Sequence, residues 1–123
     1  MPTLNYIPPQ EGAGAIAVQT LYAQAKPPVY VVTEIDVTNV DAYTKEYVPV
    51  VRPILAKSGG KLVAVSQSPT SLEGAPQKSR VAINVYDSLE KAKASREAAD
   101  YKEARKIGDK YAKFRAIAIE GTP

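Results

Sequence analysis

A chain of 123 residues, 45% hydrophobic and 24% charged, is long enough for one domain with one core and too short for two, and its composition suggests neither disorder nor a membrane span. It has no Cys and no His, which removes thiol nucleophiles, disulfides, imidazole bases, zinc sites of the usual kind and His-ligated haem. The net charge of +3 is mild and its basic residues are interleaved with acids, as on a solvated surface rather than a nucleic-acid footprint.

Residues 1–28 read as an extended arm. Pro2, Pro8, Pro9, Pro27 and Pro28 punctuate them, and no Lys or Arg precedes Lys26. A mildly apolar stretch from Gly12 to Tyr22 leads into Ala23-Gln24-Ala25, the small-x-small form of a signal-peptidase site. The basic start of an export signal is missing, and Glu11 stands in its place, so the arm looks like a signal-peptide remnant. As written the chain is expected in the cytoplasm, and in the periplasm if the true start supplies a basic segment. The arm is expected to pack on a neighbouring subunit, with a lattice contact as the alternative.

Residues 29–123 carry an α/β pattern. Tyr30 to Val37 alternates and is rich in β-branched residues, which makes a strand with Val31, Ile35 and Val37 on its apolar side. Thr38-Asn39 then offers a helix cap, and Val40, Tyr43, Tyr47, Val51, Ile54 and Leu55 recur at helical spacing until Ser58-Gly59-Gly60. Pro49 and Pro53 interrupt this run and predict a kink or two abutting pieces. Lys61 to Ser66 is a second strand, Gln67 to Ser79 a loop, and Arg80 to Tyr86 a third strand with Val81, Ile83 and Val85 on one side. Asp87-Ser88-Leu89-Glu90 has the form of a cap with an acid three residues on, and opens a helix through Ala99. Asp100 caps a further piece carrying Tyr101, Ala104, Ile107 and Tyr111, and Phe114 to Glu120 is the last strand. The order βαββαβ predicts an α+β, ferredoxin-like fold: a four-stranded antiparallel sheet with both helices on one face. Its other face needs a cover, best supplied by a second copy in a dimeric α/β barrel.

If Val31, Ile35, Val37, Val81, Ile83, Val85, Ile117 and Ile119 face the helices, alternation sends Tyr30, Val32, Glu34, Asp36, Arg80, Ala82, Asn84 and Tyr86 to the space between two sheets. Two readings of that face stand. In one it is a small-molecule pocket, with Glu34 as base or anchor, Arg80 holding an anionic group, Asn84 and Tyr86 donating hydrogen bonds, and Tyr30 lining it. In the other, Glu34 and Arg80 form an ion pair that sets the register of a noncatalytic dimer. Tyr43 and Tyr47, one turn apart, read as core aromatics that could also wall a site near the helix start. Tyr101 and Arg105 read as a docking pair for the last helix, with Arg105 within reach of a carboxylate ligand. The third strand does not match the RNA-recognition motif, and no phosphate loop, nucleophile elbow or metal motif is present. No cofactor, nucleic acid or membrane partner is assigned. The expected partners are a second copy, in a homodimer or larger even assembly, and a small molecule.

Tyr30-Val31-Val32-Thr33-Glu34-Ile35, Asp41-Ala42-Tyr43, Gly59-Gly60, Leu72-Glu73-Gly74, Asp87-Ser88-Leu89-Glu90-Lys91-Ala92, Tyr101 and Arg105 together resemble domain-of-unknown-function family 1330. The resemblance covers essentially all of the chain after the arm. It implies a ferredoxin-like dimer and supplies no activity. Some members carry an export signal ending in a similar Ala-Gln-Ala stretch, and this chain departs from them in lacking the basic start.

Overall fold

The computed structural model describes residues 26–76 and 79–123, so the reading of residues 1–25 as an arm and signal remnant lies outside the described residues. Strands β1 (Val29–Val37), β2 (Lys61–Ser66), β3 (Arg80–Tyr86) and β4 (Ala112–Glu120) form one sheet in the order β2-β3-β1-β4. All three neighbouring pairs are antiparallel. The helices α1 (Val40–Lys57), α2 (Leu89–Glu97) and α3 (Ala99–Gly108) cover one face, which is the ferredoxin-like split-βαβ arrangement expected from the element order.

Helix α1 begins where the Asn39 side chain accepts the Ala42 amide at 3.1 Å. The interruption expected from the prolines takes the form of a π-helical turn, Tyr43–Tyr47, between the α-helical pieces Val40–Ala42 and Val48–Lys57. Pro49 stands in the first turn of the second piece, where a missing N–H costs least. The helix ends in a Schellman turn: the Gly60 amide donates to Leu55 O at 2.9 Å and the Gly59 amide to Ala56 O at 3.1 Å. Gly59 has φ +94°, a conformation that only glycine adopts at little cost.

Helix α2 is capped by Ser88, whose hydroxyl accepts the Lys91 amide at 3.1 Å. The cap therefore falls one residue later than the Asp87 box implied, and Asp87 instead accepts from Lys91 Nζ at 3.3 Å. The chain leaves helical geometry at Ala98 (ψ 142°) and restarts as α3, with Asp100 accepting the Tyr101 amide at 2.8 Å.

The register corrects the assignment of faces. Residues opposite one another across an antiparallel pair share a face. Ile35, buried toward the helices, is paired with Arg80 on β3 and Phe114 on β4, while Val31 is paired with Asn84 and Ala118. Arg80, Ala82, Asn84 and Tyr86 thus point toward the helices, as do Ala116 and Ala118. Val81, Ile83, Val85, Ile117 and Ile119, expected there, lie on the open face with Tyr30, Val32, Glu34 and Asp36. Hydropathy favours Val81, Ile83 and Val85 toward the core, and the pairing of Ile35 with Arg80 shows the opposite parity.

The core is divided. Ile35, Tyr43, Tyr47, Val51, Tyr101, Ala104 and Ala112 form one cluster, and Val29, Val31, Tyr86 and Ala92 form another. The space between sheet and helices is left partly unfilled.

Candidate functional site

The unfilled space is a cavity of about 280 Å³ between α1 and the β1–β3 part of the sheet. That is just under the usual range for small-molecule sites, about 300–1,000 Å³. Its walls are built in layers. The sheet supplies Thr33, Ile35, Leu62, Arg80, Ala82, Asn84 and Phe114, and α1 supplies Tyr43, Tyr47, Val51, Arg52 and Leu55. Arg96 of α2 and Tyr101 of α3 close one side.

Tyr43 and Tyr47 bound the π-helical turn and stand against the sheet together, with ring centroids 5.3 Å apart. Phe114 meets Tyr47 edge-on at 5.6 Å, and both tyrosines are buried. Burial pushes both phenols above the ordinary tyrosine value of 10.0, so each is a neutral hydroxyl at any physiological pH. The expectation that they are core aromatics and the alternative that they wall a site describe the same position.

Arg80 is 7% exposed, and its guanidinium carbon lies 5.3 Å from the centre of the Tyr43 ring. Its Nε is buried with no hydrogen-bond partner, and no carboxylate among the described residues pairs with it. The start of β3 is held in place by Ser79, whose hydroxyl accepts the Val37 amide at 2.9 Å and donates to Ile35 O at 3.2 Å. The side chain next to it is thereby aimed into the cavity rather than swung to solvent. Asn84, two pleats along the same strand, is buried and lines the cavity as well.

Arg96 donates to the Tyr86 hydroxyl and to Ser95 Oγ, each at 3.0 Å, and its guanidinium lies 5.0 Å over the Tyr101 ring. Tyr86 is packed so closely on Gly60 that a Cβ there would fall 2.6 Å from the ring. It serves the cavity by orienting Arg96. Arg105 is committed elsewhere, to Asp109 at 2.9 Å and the Tyr101 hydroxyl at 3.3 Å, with Phe114 beneath it. Among the described residues the cavity thus carries three arginines, Arg52, Arg80 and Arg96, and no Asp or Glu.

The residues expected to share one pocket are split between two faces. Arg80 and Asn84 meet in the cavity and Tyr86 stands behind it, whereas Tyr30 and Glu34 lie on the far side of the sheet. Glu34 pairs with Arg115, Nη1 to Oε1 at 3.3 Å, and not with Arg80. The proposed Glu34–Arg80 pair is therefore replaced by a cross-strand pair on the open face. Sequence reasoning missed Arg52 and Arg96. Arg52 follows Val48 by one helical turn and could have been found from that spacing, but nothing local marks Arg96.

The model of a family described as a domain of unknown function, DUF1330, matches residues 28–122. No curated protein matches the chain. Among solved structures it is similar to a protein of unknown function from Rhodopseudomonas palustris, at 18% identity and a TM-score of 0.65, over 92% of this chain and 96% of that one. It is also similar to SnoaB, a cofactor-independent oxygenase from Streptomyces nogalater, at 10% identity and a TM-score of 0.60, over 79% and 95% of the two chains. An EthD family protein from Bacillus halodurans gives 16% identity and a TM-score of 0.59, over 77% and 99%. Identities this low establish a shared fold.

Proposed function

The chain belongs to the DUF1330 family, whose description assigns no activity, and from that premise we propose that the protein is a homodimer in which each protomer binds one small, largely apolar molecule in the cavity between sheet and helices. The observation that carries this reading is the inverted polarity of β3. A strand normally turns its apolar side chains to the core, yet here Arg80 and Asn84 face inward and Val81, Ile83 and Val85 outward. Such an inversion makes sense when the inside holds a site and the outside meets a partner.

The open face supports the second half of the reading. Ile117 and Ile119 are 45% and 49% exposed, Tyr30 38%, and Val32, Val81, Ile83 and Val85 complete an apolar surface around the Glu34–Arg115 pair. A continuous patch of that kind marks an interaction surface. The fold shared with a cofactor-independent oxygenase favours a second reading, that the bound molecule is also turned over. In that case tyrosine, arginine and asparagine donors would steady a substrate anion, and Glu34 on the far face would take no part.

Ala82 lies in the floor of the cavity between Arg80 and Asn84. Ala82→Leu is expected to lower the affinity of a naphthalene-sized probe, 2-naphthoate or 2-naphthamide, at least about tenfold by calorimetry, since the added methyls occupy the probe's space. Native mass spectrometry should still give a dimer. Unchanged probe affinity would place binding elsewhere and reject the cavity reading.

A further inference from the structure

Resting on the cavity reading above, we infer that the ligand is an organic anion, a carboxylate or an ionised enol or phenol on a flat apolar body, and that Arg80 is the residue that anchors its charge. Four observations converge. The Arg80 side chain is more than nine-tenths buried, and its Nε has no partner. Its guanidinium carbon lies 5.3 Å from the centre of the Tyr43 ring, and the side chain lines the cavity. Among the described residues the walls contain no carboxylate that could neutralise it, and they add Arg52 and Arg96 to the same sign of charge. The remaining lining is aromatic and aliphatic, from Tyr47, Val51 and Phe114, so the body of the ligand is apolar.

A buried guanidinium without a counterion is unfavourable in the empty protein, because desolvation is not offset. An anion entering the cavity supplies what is missing. Its oxygens would meet the terminal nitrogens of the guanidinium, since Nε itself is enclosed, and the Asn84 amide stands on the same wall as a further donor. A neutral ligand of the same shape would fill the space and leave Arg80 as it was. The charge of the ligand is therefore what this cavity selects.

The test compares 2-naphthoate with its neutral isostere 2-naphthamide on the full-length dimer, by calorimetry in buffer of physiological ionic strength. The anion is expected to bind at least about tenfold more tightly, in line with a charged hydrogen-bond pair in a buried site. In Arg80→Met that preference should fall to within about threefold, while 2-naphthamide affinity changes little. Arg80→Lys, which keeps the charge but not the fork, should retain part of the preference. Equal binding of the two probes to the unmodified protein would overturn the anion inference and leave the cavity reading standing. Binding of neither probe would overturn both, and a preference that survives Arg80→Met would overturn the role of Arg80. The first comparison needs no variant, so it holds even if Arg80→Met does not fold.

Discussion

At the scale of single residues, the cavity separates what binding needs from what stability favours. Arg80 is buried beside the Tyr43 ring, with its Nε lacking a hydrogen-bond partner and no carboxylate among the described residues paired with it. A cation–π contact of about 1–2 kcal/mol does not offset the loss of hydration of a guanidinium, which is several kcal/mol. Arg80→Met keeps most of the side-chain volume and removes the charge. The ligand-free variant is expected to be more stable than the parent by about 1 kcal/mol or more, a rise in Tm of about 4 °C or more for a domain of this size. Calorimetric melting checks it, and a lower Tm would mean that Arg80 is satisfied in the empty protein. The oddity of Arg80 was legible in the sequence, as a charged residue opening a strand of alternating apolar positions. Its partner was not, because pairing across strands depends on register, and Glu34 turned out to meet Arg115 instead.

Among the elements, β3 and the π-helical turn of α1 together make the site, and they differ in how far sequence could reveal them. The strand was readable from its alternation, and Pro49 and Pro53 marked a break in the helix but not its π-helical form. The direction in which β3 faces was not readable. Hydropathy favours its Val-Ile-Val side toward the core, and the pairing of Ile35 with Arg80 places the Arg-Ala-Asn-Tyr side there instead. The π-turn, by contrast, has a measurable consequence. Tyr47 is buried among Tyr43, Tyr101 and Phe114, and its phenol is raised above the ordinary value of 10.0, chiefly by burial and then by the neighbouring phenols. A pKa raised in the folded state means that the unfolded chain releases the proton first. The stability this confers is full below about pH 10 and is lost as pH rises beyond it, by at most about 1.4 kcal/mol per pH unit for one group. Urea midpoints should therefore drop between pH 9.5 and 11. In Tyr47→Phe, which cannot ionise at that position, the drop should be shallower, and an identical slope would show that Tyr47 does not contribute.

For the whole molecule, the fold was the most legible feature, because the order βαββαβ with helices of adequate length admits few other packings. The same order leaves the sheet covered on one side only: three helices pack on one face of the four strands, with Val32, Ile83 and Ile117 on the other. Ile117 is the position from which to test what that face does. It stands opposite Val32 on β1, midway along the edge strand β4, on the face away from the cavity. Ile117→Asp places a carboxylate where a second sheet would have to desolvate it, beside the Glu34 carboxylate that already occupies Arg115. The variant is expected to shift from dimer to monomer at micromolar concentration in native mass spectrometry, and its Tm should no longer rise with protein concentration. Because the cavity residues named above come from a single chain, on the other side of the sheet from Ile117, affinity for 2-naphthoate should stay within about threefold of the parent as long as the monomer is folded. A variant that remains dimeric would mean that the copies meet through another surface. A folded monomer that loses its probe would mean that the second copy shapes the site from across the sheet, linking the two halves of the proposed function that the geometry of a single chain keeps apart.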